Sequence, residues 1–99
     1  MMKVLYNRDL GGFSLSRIAS KALVELGIDI DPEYGYLPDD ISRHDPRLIA
    51  VVECLGLKAS EGRCAKLAIH EIKGDRYRIE EYDGAETVVE PSELTWIIP

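Results

Sequence analysis

The chain has little of what several classes of protein require. Only two of its 99 residues are cysteine, Cys54 and Cys64, which is too few for the disulfide framework of a small secreted domain. No apolar run approaches the roughly 20 residues that cross a bilayer, and no secretory signal pattern precedes the cysteines. We therefore expect a cytoplasmic protein with reduced thiols and no membrane partner.

Positive charge is also scarce. The chain has twelve Lys and Arg residues and eighteen Asp and Glu residues, so the net charge is −6 at pH 7. Proteins that bind nucleic-acid polymers usually carry the opposite balance, because Lys and Arg supply most of that affinity by releasing counterions. The composition therefore argues against a nucleic-acid polymer as partner, while a small anion pocket remains compatible with it because local geometry can override the global field.

The chain has few residues that suit catalysis or metal binding. Its two histidines, His44 and His70, are not spaced as a metal pair and no third ligand is evident. A Cys–His nucleophile would need Cys54 or Cys64 beside a histidine, and Cys54 is expected in the core. We expect no metal and no cofactor, and we favour binding over catalysis; a hydrolase that uses His44 or His70 is the third-ranked hypothesis.

Two helices are predicted from apolar spacing. The spacing in the first segment is typical of a helix with one buried face, and it predicts Ser14 as the N-cap and Gly27 at the left-handed C-cap position. Its apolar residues are Leu15, Ile18, Ala19, Ala22, Leu23 and Leu26. The second begins at Asp45-Pro46, an N-cap followed by proline at the first helical position, and ends before Gly56.

Short alternating segments predict the strands. Asp83-Gly84 is a strong hairpin signal between two of them. The strand segments are Lys3–Tyr6, Ala65–Ile72, Tyr77–Tyr82, Thr87–Val89 and Thr95–Ile98. This order predicts an α+β fold over residues 1–99, a single domain in which a mainly antiparallel sheet of four to five strands has two helices packed on one face. The last strand is apolar enough to need a neighbouring strand or a second subunit.

The segment 28–44 has no sustained period. It is either a functional loop or contains a short strand near Tyr34–Leu37. Tyr34 and Tyr36 in this segment either pin it to the core or contact a ligand.

The turn Asn7–Ser16 is the main candidate site. Gly11-Gly12 allows positive φ and close backbone approach, and the first amides of the following helix have no intrahelical acceptors. Arg8 and Arg17 flank it. Such a turn suits a phosphate or carboxylate, although a plain strand-to-helix connection capped by Ser14 or Asp9 explains the same residues.

Arg43-His44-Asp45-Pro46-Arg47 is a second cluster that favours anions, because a guanidinium fork suits phosphate. The alternative is a solvated cap with Arg43 paired to Asp39 or Asp40. The acidic residues of the hairpin, which are Glu80, Glu81, Asp83, Glu86 and Glu90, are explained as a solvated edge. The complete set of predicted ligand-binding residues is Asn7, Arg8, Gly11, Gly12, Phe13, Ser14, Ser16, Arg17, Tyr34, Tyr36, Arg43, His44 and Arg47.

Several segments in order carry a resemblance: Asn7-Arg8 with Gly11–Ser16, Arg43–Leu48, Glu53–Gly56, Ala65–Leu67 with Glu71-Ile72, and Ile79–Glu86. On these segments the chain resembles a group of small proteins carried by bacteriophages and prophages. It differs from their usual pattern at Asp9-Leu10, where a Cys-Tyr or similar pair is common, and at Cys54, where Glu is frequent. The resemblance covers most of the chain outside 28–42 and transfers no catalytic residue.

The resemblance implies a setting in the cytoplasm of a host cell. Small acidic phage proteins often bind a host defence protein or a nucleotide signal that a defence system makes. The leading hypothesis is a non-enzymatic homo-oligomer that sequesters a small anionic, nucleotide-like ligand at residues 7–16. The alternative is an inhibitor or adaptor that binds a host protein through the acidic hairpin and residues 28–44.

Overall fold

The computed structural model describes residues 2–63, 65–74 and 76–90. Within them the chain forms an α+β fold with two α-helices, one 3-10 helix and four strands. In chain order the elements are β1 (Met2–Asn7), α1 (Arg17–Glu25), α2 (Pro46–Leu55), the 3-10 helix (Gly56–Ser60), β2 (Leu67–Ile72), β3 (Arg78–Tyr82) and β4 (Ala85–Val89).

Helix α1 begins two residues later than the sequence predicts. Ser16, and not Ser14, is the N-cap, since its Oγ accepts a hydrogen bond from the Ala19 amide at 3.2 Å. The prediction of Ser14 as the cap is wrong because Leu15 is still extended: its amide donates to the Gly35 carbonyl at 2.9 Å and its side chain is fully buried. The helix can therefore begin only after Leu15.

The end of α1 is as predicted. Gly27 has a φ of 94°, which is the left-handed conformation that glycine adopts without steric cost. The Gly27 amide donates to the Val24 carbonyl and the Ile28 amide to the Leu23 carbonyl, both at 3.0 Å. This pair of bonds is a Schellman motif and satisfies carbonyls that the helix end leaves open.

Helix α2 follows its local signals closely. Asp45 caps it through a hydrogen bond from the Arg47 amide, Pro46 occupies the first helical position, and Gly56 is the C-cap. The expectation that Cys54 lies in the core is wrong, because its thiol is exposed. The buried side chains of α2 are Leu48, Ile49, Val51 and Val52, and Cys54 falls on the opposite side of the helix at 3.6 residues per turn.

The predicted single sheet of four to five strands is not confirmed: the described strands form two antiparallel ladders, β1 with β2 and β3 with β4. In the first, Met2 is opposite Ile72 and Asn7 is opposite Leu67. In the second, Tyr82 is opposite Ala85, which leaves Asp83-Gly84 as a two-residue turn. Both turn residues have positive φ, 52° and 91°, as a type I′ turn requires. The predicted hairpin is confirmed.

Strand β1 is buried on both faces, because Val4 and Leu5 are each 0% exposed. Leu5 packs with α1 and α2 in the main core, whereas Val4 packs with Ile72 and Val88 in a second, smaller core. Since successive side chains of a strand point to opposite faces, the helices lie on one side of the β1–β2 ladder and the β3–β4 ladder on the other.

Segment 28–44 contains turns and no strand, so the alternative of a short strand near residues 34–37 is wrong. The predicted strand Thr95–Ile98 lies outside the described residues. None of the described helices has the length and the apolar character that a membrane crossing requires.

Candidate functional site

Asn7, the first residue of the predicted site, is a structural residue at the junction of three segments. Its side chain is 0% exposed. The Nδ2 group donates to the carbonyls of Asp9 and Gly84, both at 2.8 Å, and Oδ1 accepts from the amides of Asp9 and Lys66 at 3.2 and 2.9 Å. These four bonds use the whole hydrogen-bonding capacity of the amide in its usual geometry. Asn7 therefore shapes the turn and has no donor left for a ligand.

The glycine pair lies under the β3–β4 hairpin. Gly11 and Gly12 have φ values of 108° and 87°. A Cβ added to Gly84 would lie 2.4 Å from the Gly12 nitrogen and 2.8 Å from the Gly11 nitrogen. The positive φ values and the absence of a side chain at Gly84 thus allow two turns to touch, and one face of the glycine pair is covered by protein.

Some backbone amides at and just before the start of α1 have protein partners. The Leu15 amide donates to Gly35 and the Ser16 amide to the Ala59 carbonyl, at 2.9 and 2.7 Å, and the Ala19 amide is bound by the cap. Ser16 is 2% exposed. Four residues separate Gly12 from the first helical residue, Arg17, so the glycine pair and the helix end do not form one cradle.

Arg43 is the most constrained cation of the predicted set. Its Nη1 and Nη2 donate to the two carboxylate oxygens of Glu86 at 2.7 and 2.8 Å. Nη1 also donates to the Leu5 carbonyl at 3.3 Å, and the guanidinium lies 3.8 Å from the centroid of the Phe13 ring. The alternative pairing of Arg43 with Asp39 or Asp40 is therefore wrong.

Glu86 corrects a second expectation. The sequence assigns it to a solvated acidic edge, but the residue is only 8% exposed and also accepts a hydrogen bond from the Asn7 amide at 2.8 Å. The reason is the alternation of β4, in which Glu86 and Val88 point inward while Thr87 points outward. Through these bonds Glu86 connects the hairpin to β1 and to segment 28–44.

A groove of about 300 Å³ opens beside Arg43. We call it the aromatic groove; it is lined by Phe13, Tyr36, Leu37, Pro38, Asp39, Ile41 and Arg43. Three of the predicted ligand-binding residues, Phe13, Tyr36 and Arg43, meet here although they come from separate segments. The volume is at the lower end of the range for small-molecule sites.

The two tyrosines of segment 28–44 are exposed, Tyr34 by 58% and Tyr36 by 66%. The alternative that they pin the segment to the core is therefore wrong. Their rings are nearly parallel, with 6° between the planes and 6.2 Å between the centroids. Tyr36 therefore presents a ring, oriented by its neighbour, at the edge of the groove.

The other predicted residues lie outside the groove lining. His44 Nδ1 is 2.7 Å from the Tyr77 hydroxyl, and the two rings meet edge to face. Burial raises the pKa of that hydroxyl, and the nearby Arg43 acts in the opposite direction. Arg47 is paired with Asp45, and this hydrogen bond lowers the pKa of the Asp45 carboxyl. Arg8 and Arg17 are exposed, and Ser14 is half-buried.

Among residues 2–63, 65–74 and 76–90, no group of three or more His, Cys, Asp or Glu side chains is placed to hold a metal ion. What the aromatic groove offers is the exposed ring of Tyr36, the partly buried ring of Phe13, which Arg43 covers on one face, a carboxylate on Asp39 and a partly satisfied guanidinium. These groups bind planar rings and hydrogen-bonding edges. Asp39 lies in the lining although the sequence singled it out only as an ion-pair partner, and no local signal marks it.

No protein-family model, curated protein or solved structure matches the chain.

Proposed function

We propose that the protein is a non-enzymatic binding protein that holds a small nucleotide-like ligand in the aromatic groove. The observation that carries this proposal is the convergence of Phe13, Tyr36 and Arg43 on one concave surface. Nucleobases stack on aromatic rings in proteins that bind single bases, and a guanidinium supplies N–H donors to the edge of a base.

The proposal places the ligand beside the turn at residues 7–16 and not inside it. The turn supplies Phe13 to the groove, while Asn7 and the glycine pair supply the geometry that holds Phe13 and Arg43 in position. The side chain of Asn7 already makes four hydrogen bonds within the protein, whereas the groove has open surface. Binding in the groove therefore breaks no existing hydrogen bond.

The phage resemblance gives this proposal its biological setting. A protein that binds a host-made nucleotide without converting it would lower the free concentration of that signal. We include in the proposal the homo-oligomeric state, which would allow neighbouring copies to enclose the part of the ligand that the shallow groove leaves outside.

Isothermal titration with the four ribonucleoside monophosphates, their nucleosides and inorganic phosphate tests the proposal. At least one base-containing ligand should bind, and Tyr36→Ala should weaken it by about tenfold or more, because stacking on one aromatic side chain contributes about 1–3 kcal/mol per base. Tyr36 is exposed, so the substitution should leave the fold intact, which circular dichroism checks.

Tyr82→Ala is the matched control. Tyr82 is an even more exposed tyrosine, at 82%, and it lies on β3 outside the groove lining. Its removal should change affinity by less than about twofold, as for a surface side chain without contacts to the ligand. Absence of binding by the entire panel, or equal losses in both variants, would contradict the proposal.

The second candidate function is binding of a host protein through the acidic hairpin. The observation that favours it is the 82% exposed ring of Tyr82 between Glu81 and Asp83, since tyrosine is enriched among the residues that dominate binding between proteins. Glu86 cannot belong to that surface because it is buried against Arg43.

A further inference from the structure

The aromatic groove contains two charged side chains whose environments differ. Asp39 is exposed, and its carboxylate has no hydrogen bond or ion pair with any described residue. Arg43 is half-buried, and its charge is compensated by the two-point contact with Glu86. Counting Asp39 and Glu86 against Arg43 leaves one net negative charge at this surface.

This balance acts against a phosphate inside the groove. A phosphate brings about one to two negative charges, and the uncompensated carboxylate of Asp39 would repel it as a like charge at short distance. A nucleotide would therefore place its base in the groove and leave its phosphate outside, in solvent.

The same side chains provide both kinds of hydrogen-bonding group toward a base. A guanidinium has five N–H donors, and Arg43 uses three of them, one toward Leu5 and two toward Glu86. Nε–H and one proton of Nη2 have no acceptor among the described residues. Asp39 offers acceptors only. The lining therefore suits an edge that carries N–H donors next to a carbonyl or ring-nitrogen acceptor.

Guanine is the base with that edge. Its ring N–H and exocyclic amino group are adjacent donors that a carboxylate can accept together, and its carbonyl and ring nitrogen are acceptors for an arginine. Adenine presents a ring-nitrogen acceptor and an amino donor in the corresponding places. Its ring nitrogen would therefore face the Asp39 carboxylate, which is also an acceptor, and its amino group would face the Arg43 guanidinium, which is also a donor.

We propose that the groove selects guanine by its hydrogen-bonding edge, with Asp39 as acceptor and Arg43 as donor, and that it does not read the phosphate. This inference rests on the proposed function of the groove and specifies the ligand class. Phe13 and Tyr36 would supply stacking that all bases share, and Asp39 would supply the discrimination.

Titration with guanosine, inosine, adenosine and GMP tests the inference. Guanosine should bind about tenfold or more tightly than adenosine, as one good two-point contact to a base provides. Inosine lacks only the exocyclic amino group, so its affinity should lie between those of guanosine and adenosine. GMP should match guanosine within about threefold, with little dependence on salt concentration, because no phosphate contact contributes.

Asp39→Asn and Asp40→Asn form a matched pair of variants. Both replace an exposed aspartate by its isosteric amide, but only Asp39 lines the groove. Asp39→Asn should weaken guanosine binding about tenfold and leave adenosine within about threefold, because the substitution replaces one of the two carboxylate oxygens by an NH2 group, which would face a guanine donor. Asp40→Asn should retain the preference of the unmodified protein.

The outcomes separate the two proposals. Binding of nucleosides without base preference, equal effects of the two variants, or GMP binding far more tightly than guanosine would overturn the guanine inference while the proposed function stands. If no nucleoside or nucleotide binds, both proposals fail together.

Discussion

Arg43 shows how one residue can be part of a binding surface and of the architecture at the same time. One face of its guanidinium lies on Phe13, and the Nη1 and Nη2 ends are held by Glu86 and by the Leu5 carbonyl. Its backbone carbonyl also accepts a hydrogen bond from the Leu5 amide at 2.8 Å. The side chain is therefore fixed before any ligand arrives, which lowers the entropic cost of using it in recognition.

Glu86→Gln should destabilise the fold by about 2 kcal/mol, because it removes the carboxylate charge and leaves a half-buried guanidinium uncompensated. The glutamine oxygen can still accept one hydrogen bond, which limits the loss. The free energy of unfolding from urea titration measures the effect.

Glu80→Gln is the control for this change. Glu80 forms its ion pair with Arg78 at 2.9 Å in an exposed position, and exposed pairs contribute about 0–1 kcal/mol. Its substitution should cost less than about 0.5 kcal/mol. Equal effects of the two variants would show that burial of Glu86 adds nothing to its ion pair.

At the scale of elements, segment 28–44 is irregular but anchored. Arg63 donates from Nε to the Leu15 carbonyl at 2.9 Å and from Nη2 to the Pro32 carbonyl at 2.8 Å. The Gly35 carbonyl accepts from the Leu15 amide, and the Gly35 amide donates to the Asp31 carbonyl at 2.8 Å. These bonds join the segment to the start of α1 and place Tyr36 at the rim of the aromatic groove.

Gly35→Ala should be severely destabilising. The φ of Gly35 is 70°, and an added Cβ would lie 2.0 Å from the Leu15 carbonyl oxygen, a backbone atom that cannot rotate away. We expect a loss of about 3 kcal/mol from left-handed strain and overpacking together, measured by chemical denaturation. In the folded fraction, nucleoside binding should fall because Tyr36 is displaced.

Gly62→Ala is the control that separates the cost of left-handed backbone strain from the cost of the steric clash with Leu15. Gly62 has a similar φ of 79°, with nothing within 4 Å of an added Cβ. This variant should cost only about 1 kcal/mol. If both alanines cost the same, the close approach of segment 28–44 to Leu15 is not a significant constraint.

For the whole molecule, the notable feature is a three-layer arrangement with two unequal cores on either side of β1 and β2. Among the described residues, the buried side chains of the smaller core between the ladders are Val4, Ile72 and Val88, with Met2, Tyr6, Tyr77 and Ile79 around them. Buried apolar area of this extent adds little stability per layer. The ion pair of Glu86 therefore matters more for holding the hairpin than it would in a larger domain.

The homo-oligomeric state is the prediction that belongs to this scale. Light scattering coupled to size-exclusion chromatography should give an integer multiple, two or more, of the 11.1 kDa chain mass. The measurement should be repeated after tenfold dilution, since a specific assembly keeps its stoichiometry until its dissociation constant is approached. A mass equal to one chain at all concentrations would contradict the prediction.

Local signals predicted the elements well, and contacts distant in sequence were not predictable. Asp45-Pro46, Gly27 and Asp83-Gly84 each determine their own backbone geometry through a cap, a positive φ or a missing amide, so the sequence reveals them. The choice between Ser14 and Ser16 depended on the pairing of Leu15 with Gly35, which no local pattern contains.

The candidate site divides in the same way. Phe13, Tyr36 and Arg43 were identified individually by residue type, but their meeting in one groove depends on how segment 28–44 folds back. The pairing of Arg43 with Glu86 joins residues that are 43 positions apart, and a single sequence holds no trace of it. The sequence offers Asp39 or Asp40 as the alternative partner of Arg43, whereas the observed partner is Glu86, which leaves Asp39 open.

The bond between Asn7 and Glu86 spans 79 positions, and it has a consequence for the order of assembly during synthesis. Helix α1, helix α2 and segment 28–44 can leave the ribosome and collapse while Arg43 still lacks its carboxylate partner. Until the hairpin emerges and docks, the guanidinium is an unpaired cation beside an incomplete core, and contacts of such long range are slow to form. The groove is therefore finished late, by a residue that does not line it.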